Sequence, residues 1–125
     1  MVREASGQGA DHVATGEDLR RLALALDGTT AAPHFDRTAF KVARIYATLA
    51  GDGRSANFNF SPDEQEFKCL VAPEAFSAIP NAWGRRGWTT AQLAELSEAE
   101  LEAALRTAHV HALAKPSNKP SKKRR

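Results

Sequence analysis

The chain reads as a two-layer α+β domain: an antiparallel sheet of about five strands with helices on one face, in the order α-β-β-β-α-β-β-α. Three observations carry this reading. Apolar residues recur at helical spacing in three windows and alternate at strand spacing between them. Short turns join successive strands, which favours antiparallel pairing over the long crossovers that parallel strands need. No helix carries two apolar faces, so a single helical layer is sufficient.

The first helix is capped by Thr15. Glu17 and Asp18 stand at its positive dipole end, and Leu19, Leu22, Ala23 and Leu26 form its stripe. Asp27-Gly28 ends it. The period then becomes two. Phe40 and Val42 oppose Lys41, and Ile45, Ala47 and Leu49 oppose Arg44, Tyr46 and Thr48. Gly51-Asp52-Gly53 supplies a hairpin turn, after which Ala56, Phe58 and Phe60 alternate with Ser55, Asn57 and Asn59. This predicts a three-stranded meander with one apolar and one polar face.

Ser61 as N-cap, Pro62 at N1 and Glu64 at N3 make a capping box for the second helix. Its expected buried stripe is Phe67, Leu70 and Val71, and Pro73 limits it. Residues 76–79 read as a short fourth strand, and the Gly84–Gly87 loop leads into a fifth around residues 88–93. Ser97 with Glu100 caps the last helix, whose stripe is Leu101, Ala104, Leu105, Ala108 and Ala112, and Pro116 ends it. The expected core also includes Leu22, Leu26, Phe40, Val42, Ile45, Leu49, Phe58 and Phe60.

The chain has 125 residues, enough for one domain. Its formal charge of +2 averages two different regions. Residues 115–125 carry six basic residues and no acid, leaving eleven basic against fifteen acidic residues elsewhere, a balance of −4. The expected organisation is a disordered segment 1–16 rich in Gly, Ala and polar residues, a domain over 17–114, and a basic disordered tail over 115–125. No apolar run approaches the ~20 residues that cross a bilayer, residues 1–16 lack the apolar stretch of a secretory signal, and one cysteine, Cys69, excludes an internal disulfide framework. A cytoplasmic protein without membrane partners is expected.

The densest cluster of chemistry is Trp83-Gly84-Arg85-Arg86-Gly87-Trp88, a tight turn with a cationic tip framed by indoles. With Pro33-His34-Phe35, the run from Phe40 to Leu49, and Ser61-Pro62-Asp63-Glu64, it resembles the MmcQ/YjbR family over about residues 19–112. Ala43-Arg44 stands where members of that family usually carry Gly-Lys. The resemblance implies a secretion-chaperone-like α+β fold. It also implies DNA binding, which is attributed to such proteins because their sheet and hairpins resemble a double wing.

The polar sheet face offers Lys41, Arg44, Tyr46, Thr48, Asn57 and Asn59, joined by Trp88 if the fifth strand alternates regularly; otherwise Trp88 packs at the core edge. Arg85 and Arg86 add charge beside it. Such a surface can contact phosphates with its cations and stack bases on its aromatics. In the tail, Lys122, Lys123, Arg124 and Arg125 can add counterion-release affinity, or serve only solubility. The expected function is therefore weak, largely non-specific DNA binding, and the alternative is a protein- or peptide-binding module whose partner is another protein or a second copy. No catalysis, metal or cofactor is expected. His12, His34, His109 and His111 lack metal-ligand spacing, Cys69 has no placed partner, and no phosphate-binding or dinucleotide fingerprint occurs.

Overall fold

The computed structural model describes residues 13–114. Its sheet has six strands, all paired antiparallel: β1 Thr30–His34, β2 Arg37–Lys41, β3 Ile45–Ala50, β4 Ser55–Asn59, β5 Phe76–Ala78 and β6 Trp88–Gln92. Their order in the sheet is β1-β2-β3-β4-β6-β5. The helices are α1 Gly16–Leu24, α2 Pro62–Val71, a short α3 Ala82–Arg85 and α4 Glu98–Leu113. The α+β class and the run of elements are as expected, with β1 and α3 in addition. β1 is a fully exposed edge strand without periodic burial, so it carries no alternation to read. It joins β2 through a turn in which Phe35 takes φ 61° and is 94% exposed.

The caps form largely as the sequence predicts. Thr15 with Asp18 and Ser97 with Glu100 make reciprocal boxes, while Ser61 accepts from the Glu64 amide. Val13 and Ala14 are packed: Ala14 is buried and its amide bonds the Leu96 carbonyl at 2.9 Å. The expected disordered segment therefore does not extend over residues 13–16, and residues 1–12 lie outside the described residues. So does the tail over 115–125.

The core lies between α1, α4 and one face of the sheet. Phe40, Leu49, Phe58, Phe60, Leu101 and Leu105 are buried in it as expected, together with Leu19, Leu93 and Phe76. Phe58 and Phe60 are stacked at 5.6 Å, because residues two apart on a strand share a face.

Two expectations fail for identifiable reasons. The first concerns α2, where Phe67, Leu70 and Val71 face outward, Leu70 being 79% exposed. Gln65 turns the other side of the helix inward, donating to the carbonyls of Gly84 (2.9 Å) and Trp88 (3.0 Å). On the same side, Lys68 places its ammonium over the rings of Phe60 and Phe76 at 5.3 and 5.8 Å. Side-chain hydrogen bonds to two carbonyls, each of which also accepts one backbone amide, and a cation–π contact decide which side of the helix docks.

The second concerns β3. Phe40 pairs with Ala47 and Lys41 with Ile45, so Tyr46 is an extra residue, a bulge. Alternation slips by one there. Tyr46 is fully buried with the core, its hydroxyl 2.8 Å from Thr29 Oγ1, and Ile45 is turned to the opposite face. Tyr46 is thus corrected from the polar face to the core, and Ile45 from the core to the open face.

Leu70→Ser should change unfolding free energy by no more than about 0.5 kcal/mol, whereas Leu105→Ala should cost about 2–5 kcal/mol. Urea denaturation of the two variants checks the inverted α2 directly.

Candidate functional site

Among the described residues no long helix covers the second face of the sheet, and only the short α3 reaches its edge. Strand pairing puts Thr30, Ala32 and His34 of β1 in line with Lys41, Ala39 and Arg37 of β2, and Thr48 and Ile45 of β3 follow on the same side. Asn57 and Asn59 of β4 pair with Thr90 and Trp88 of β6, completing the face.

A groove of about 510 Å³ runs across this face. Its floor is Arg37, Ile45, Thr48 and Asn57; Ile79, Asn81, Trp83 and Trp88 close one side and His34 stands at the other. Arg37 is anchored by Nε to Thr48 Oγ1 (2.8 Å) and Nη2 to the Thr48 carbonyl (3.3 Å). Asn57 Oδ1 accepts from Thr90 Oγ1 at 2.9 Å, which leaves its NH2 for a ligand. Asn81 Oδ1 caps α3 by accepting from the amides of Trp83 (2.8 Å) and Gly84 (3.3 Å), leaving a second NH2.

The wall exists because two glycines let backbones touch. A Cβ on Gly84 would lie 1.6 Å from the Ile79 carbonyl oxygen, and one on Gly87 would lie 1.8 Å from that of Phe60. Gly87 also has φ 115°, a region that side chains avoid. Its carbonyl accepts from the Phe60 amide at 3.2 Å, tying the start of β6 to the end of β4.

The sequence-predicted residues divide. Lys41, Arg85 and Arg86 are exposed, and Trp88 is half-buried on the open face rather than at the core edge. Arg86 lies over the Trp83 ring at 5.5 Å. Tyr46 is in the core. Arg44 is also corrected: the β3 bulge turns it toward the helices, where Nη2 donates to the His111 carbonyl at 3.0 Å. A cation at a helix C-terminus is favourable, and there Arg44 works for the fold. Lys122, Lys123, Arg124 and Arg125 lie outside the described residues. Sequence reasoning missed His34, Arg37, Asn81 and Trp83 as site residues. For Arg37 the signal was present, since it sits two and four residues before Ala39 and Lys41 on one strand face.

Among the described residues no group of three His, Cys, Asp or Glu side chains gathers as a metal site, and no helix is long and apolar enough to cross a membrane. Burial raises the Cys69 thiol pKa, which keeps it protonated and disfavours a nucleophilic thiolate.

Fold and site define an α+β protein that has, among the described residues, one helical layer and an open, aromatic-walled sheet face. The YjbR family model matches residues 24–111, and the chain belongs to that family. Among solved structures it is similar to the crystal structure of a Deinococcus radiodurans protein with a DUF419 domain. The TM-score is 0.68 at 20% identity, over 89% of this chain and 84% of that one. At that identity the likeness shows the fold. Comparison with curated proteins gives no match.

Gly87→Ala should cost about 3 kcal/mol or more, since strain and overlap with backbone add. Gly53→Ala, where a Cβ meets nothing within 4 Å, should cost only about 1–2 kcal/mol from its positive φ. Thermal unfolding of the pair separates overlap from strain.

His111 gives a pH signature. Burial, then the nearby Arg44 charge, lowers its pKa below the usual 6.5. As pH falls through 6.5 the unfolded chain binds more protons than the folded one, so stability should fall as pH drops through that range. His111→Gln should flatten this part of the urea-midpoint profile, and Arg44→Ala should flatten it in part.

Proposed function

We propose that the open sheet face binds nucleic acid, weakly and largely without regard to sequence, through phosphate contacts and aromatic stacking. The observation that carries this reading is how charge is segregated. None of the thirteen acidic residues among residues 13–114 lies on a strand: Asp36 and Asp52 occupy hairpin turns, and the rest lie on helices or the turns flanking them. The open face bears Arg37 and Lys41, with Arg85 and Arg86 at its edge. A chain whose described part is net acidic thus keeps one face cationic, which suits a polyanion. The reading takes the protein to be cytoplasmic and to act by binding.

A second reading, a module for a protein partner, has one observation in its favour: Phe67, Leu70 and Val71 form an apolar stripe turned to solvent on α2.

Salt titration of binding to single-stranded and duplex DNA tests the first reading. Each phosphate contact steepens log K against log salt by about 0.7 for single strands and about 0.9 for duplex. Removing residues 115–125 should flatten the slope, and Arg85→Ala with Arg86→Ala should flatten it by a further ~1.4 on single strands. Arg44→Ala should leave it unchanged, because that guanidinium is bound to α4. Absence of binding even at low salt would end this reading in favour of the protein module.

A further inference from the structure

We infer that the groove between Trp83, Trp88 and Arg37 takes one unstacked nucleobase, so that the ligand of the open face is single-stranded nucleic acid rather than duplex. The inference rests on the nucleic-acid reading above and deepens it.

The groove's shape and polarity both point to such an occupant. Its volume of about 510 Å³ lies within the range of roughly 300–1,000 Å³ typical of small-ligand sites. That is room for one nucleotide, and a paired base in a duplex cannot enter it without leaving its stack. Most groups available to a ligand are donors: the Asn57 and Asn81 amide NH2 groups, whose oxygens already accept hydrogen bonds, and the Arg37 guanidinium fixed by Thr48. No carboxylate lines the groove. A donor-rich lining with no carboxylate favours an acceptor-rich ligand over a cation, and the ring carbonyls of a pyrimidine meet that requirement.

The walls supply the stacking surface. Trp83 is 57% exposed although it lines the groove, and its ring is braced by Arg86 rather than by the core. Base–aromatic stacking tolerates any base and is the main sequence-independent source of single-strand affinity. Cations flank the groove on both sides, Lys41 paired beside Ile45 and Arg86 against Trp83. A strand entering and leaving the groove would have phosphates near each, which a free nucleotide would not.

The chain has only two tryptophans, and both line the groove. All indole emission therefore comes from the walls of the groove. The experiment titrates the full chain with oligo(dT), an abasic oligonucleotide of equal length, a duplex of equal length, and thymidine monophosphate. Emission and fluorescence anisotropy of labelled oligonucleotides are read together.

The expected result is strong emission quenching by oligo(dT), little by the abasic strand or the duplex, and weak binding of the monophosphate. Trp83→Ala should weaken oligo(dT) binding about ten-fold or more with its salt slope unchanged, and Trp83→Phe should restore most of the loss, which separates stacking from misfolding. Oligo(dT) binding that leaves emission unchanged and ignores Trp83→Ala overturns the groove inference but leaves the polyanion reading standing. Equal affinity and quenching by duplex, or by the monophosphate, overturns it as well. No binding of any nucleic acid by anisotropy at low salt removes both.

Discussion

The β3 bulge at Tyr46 is the constraint from which the rest of the domain follows. One extra residue opposite Lys41 reverses the facing of every side chain that precedes it on the strand. Tyr46 goes into the core, where Thr29 Oγ1 at 2.8 Å satisfies its hydroxyl and the His109 ring meets it edge-on at 5.4 Å. His109 in turn donates from Nε2 to the Asp27 carbonyl at 2.8 Å, so the turn after α1, the C-terminal half of α4 and the sheet share one polar junction. Burying these groups without partners would cost about 1–3 kcal/mol each, and the bulge is what brings the partners together. The same slip sends Arg44 to the end of α4 and Ile45 to the groove floor.

A second level of organisation comes from close backbone contact. Gly84 against Ile79 and Gly87 against Phe60 bring the chain between β5 and β6 tightly against the sheet, and Gln65 fastens it by bonding the carbonyls of Gly84 and Trp88. Both tryptophans are placed by this arrangement. It also explains α2, whose polar side is needed inside as a clamp, leaving Phe67, Leu70 and Val71 outside. The groove wall and the outward apolar stripe thus have a common cause.

Charge follows the layers. Acidic residues gather on the helices, partly where they favour helix N-termini, as Glu17 and Asp18 do on α1, Asp63 and Glu64 on α2, and Glu98 and Glu100 on α4. Those roles keep them off the strands, and the sheet face is left with cations and amides. A requirement of helix stability therefore contributes to an electrostatic asymmetry between the two sides of a thin domain. The groove lies on the cationic side and the apolar stripe belongs to the helical layer, so the two surfaces can be altered independently.

Much of this was legible in the amino-acid sequence alone. Periodicity located α1, α2, α4 and five of the strands, because half-buried elements must alternate at their own period. Caps at Thr15, Ser61 and Ser97 marked helix starts through local hydrogen bonding, which needs no tertiary context. The Gly-Arg-Arg-Gly run between two indoles is legible as a tight cationic turn, and strand alternation puts Lys41 and Trp88 on the open face. The edge strand β1 was not, since an exposed strand imposes no burial pattern. Nor was the bulge: no glycine or proline marks it, and it is chosen by hydroxyl and ring partners 17 and 63 residues away from Tyr46 in the chain. The fates of Tyr46, Arg44 and Ile45 followed from that choice, and so did the membership of the site. The inward side of α2 was likewise decided by carbonyls of Gly84 and Trp88, groups every residue possesses and no side-chain pattern records. Local preference and burial period are written in sequence; which buried polar groups find each other is settled only when the elements pack.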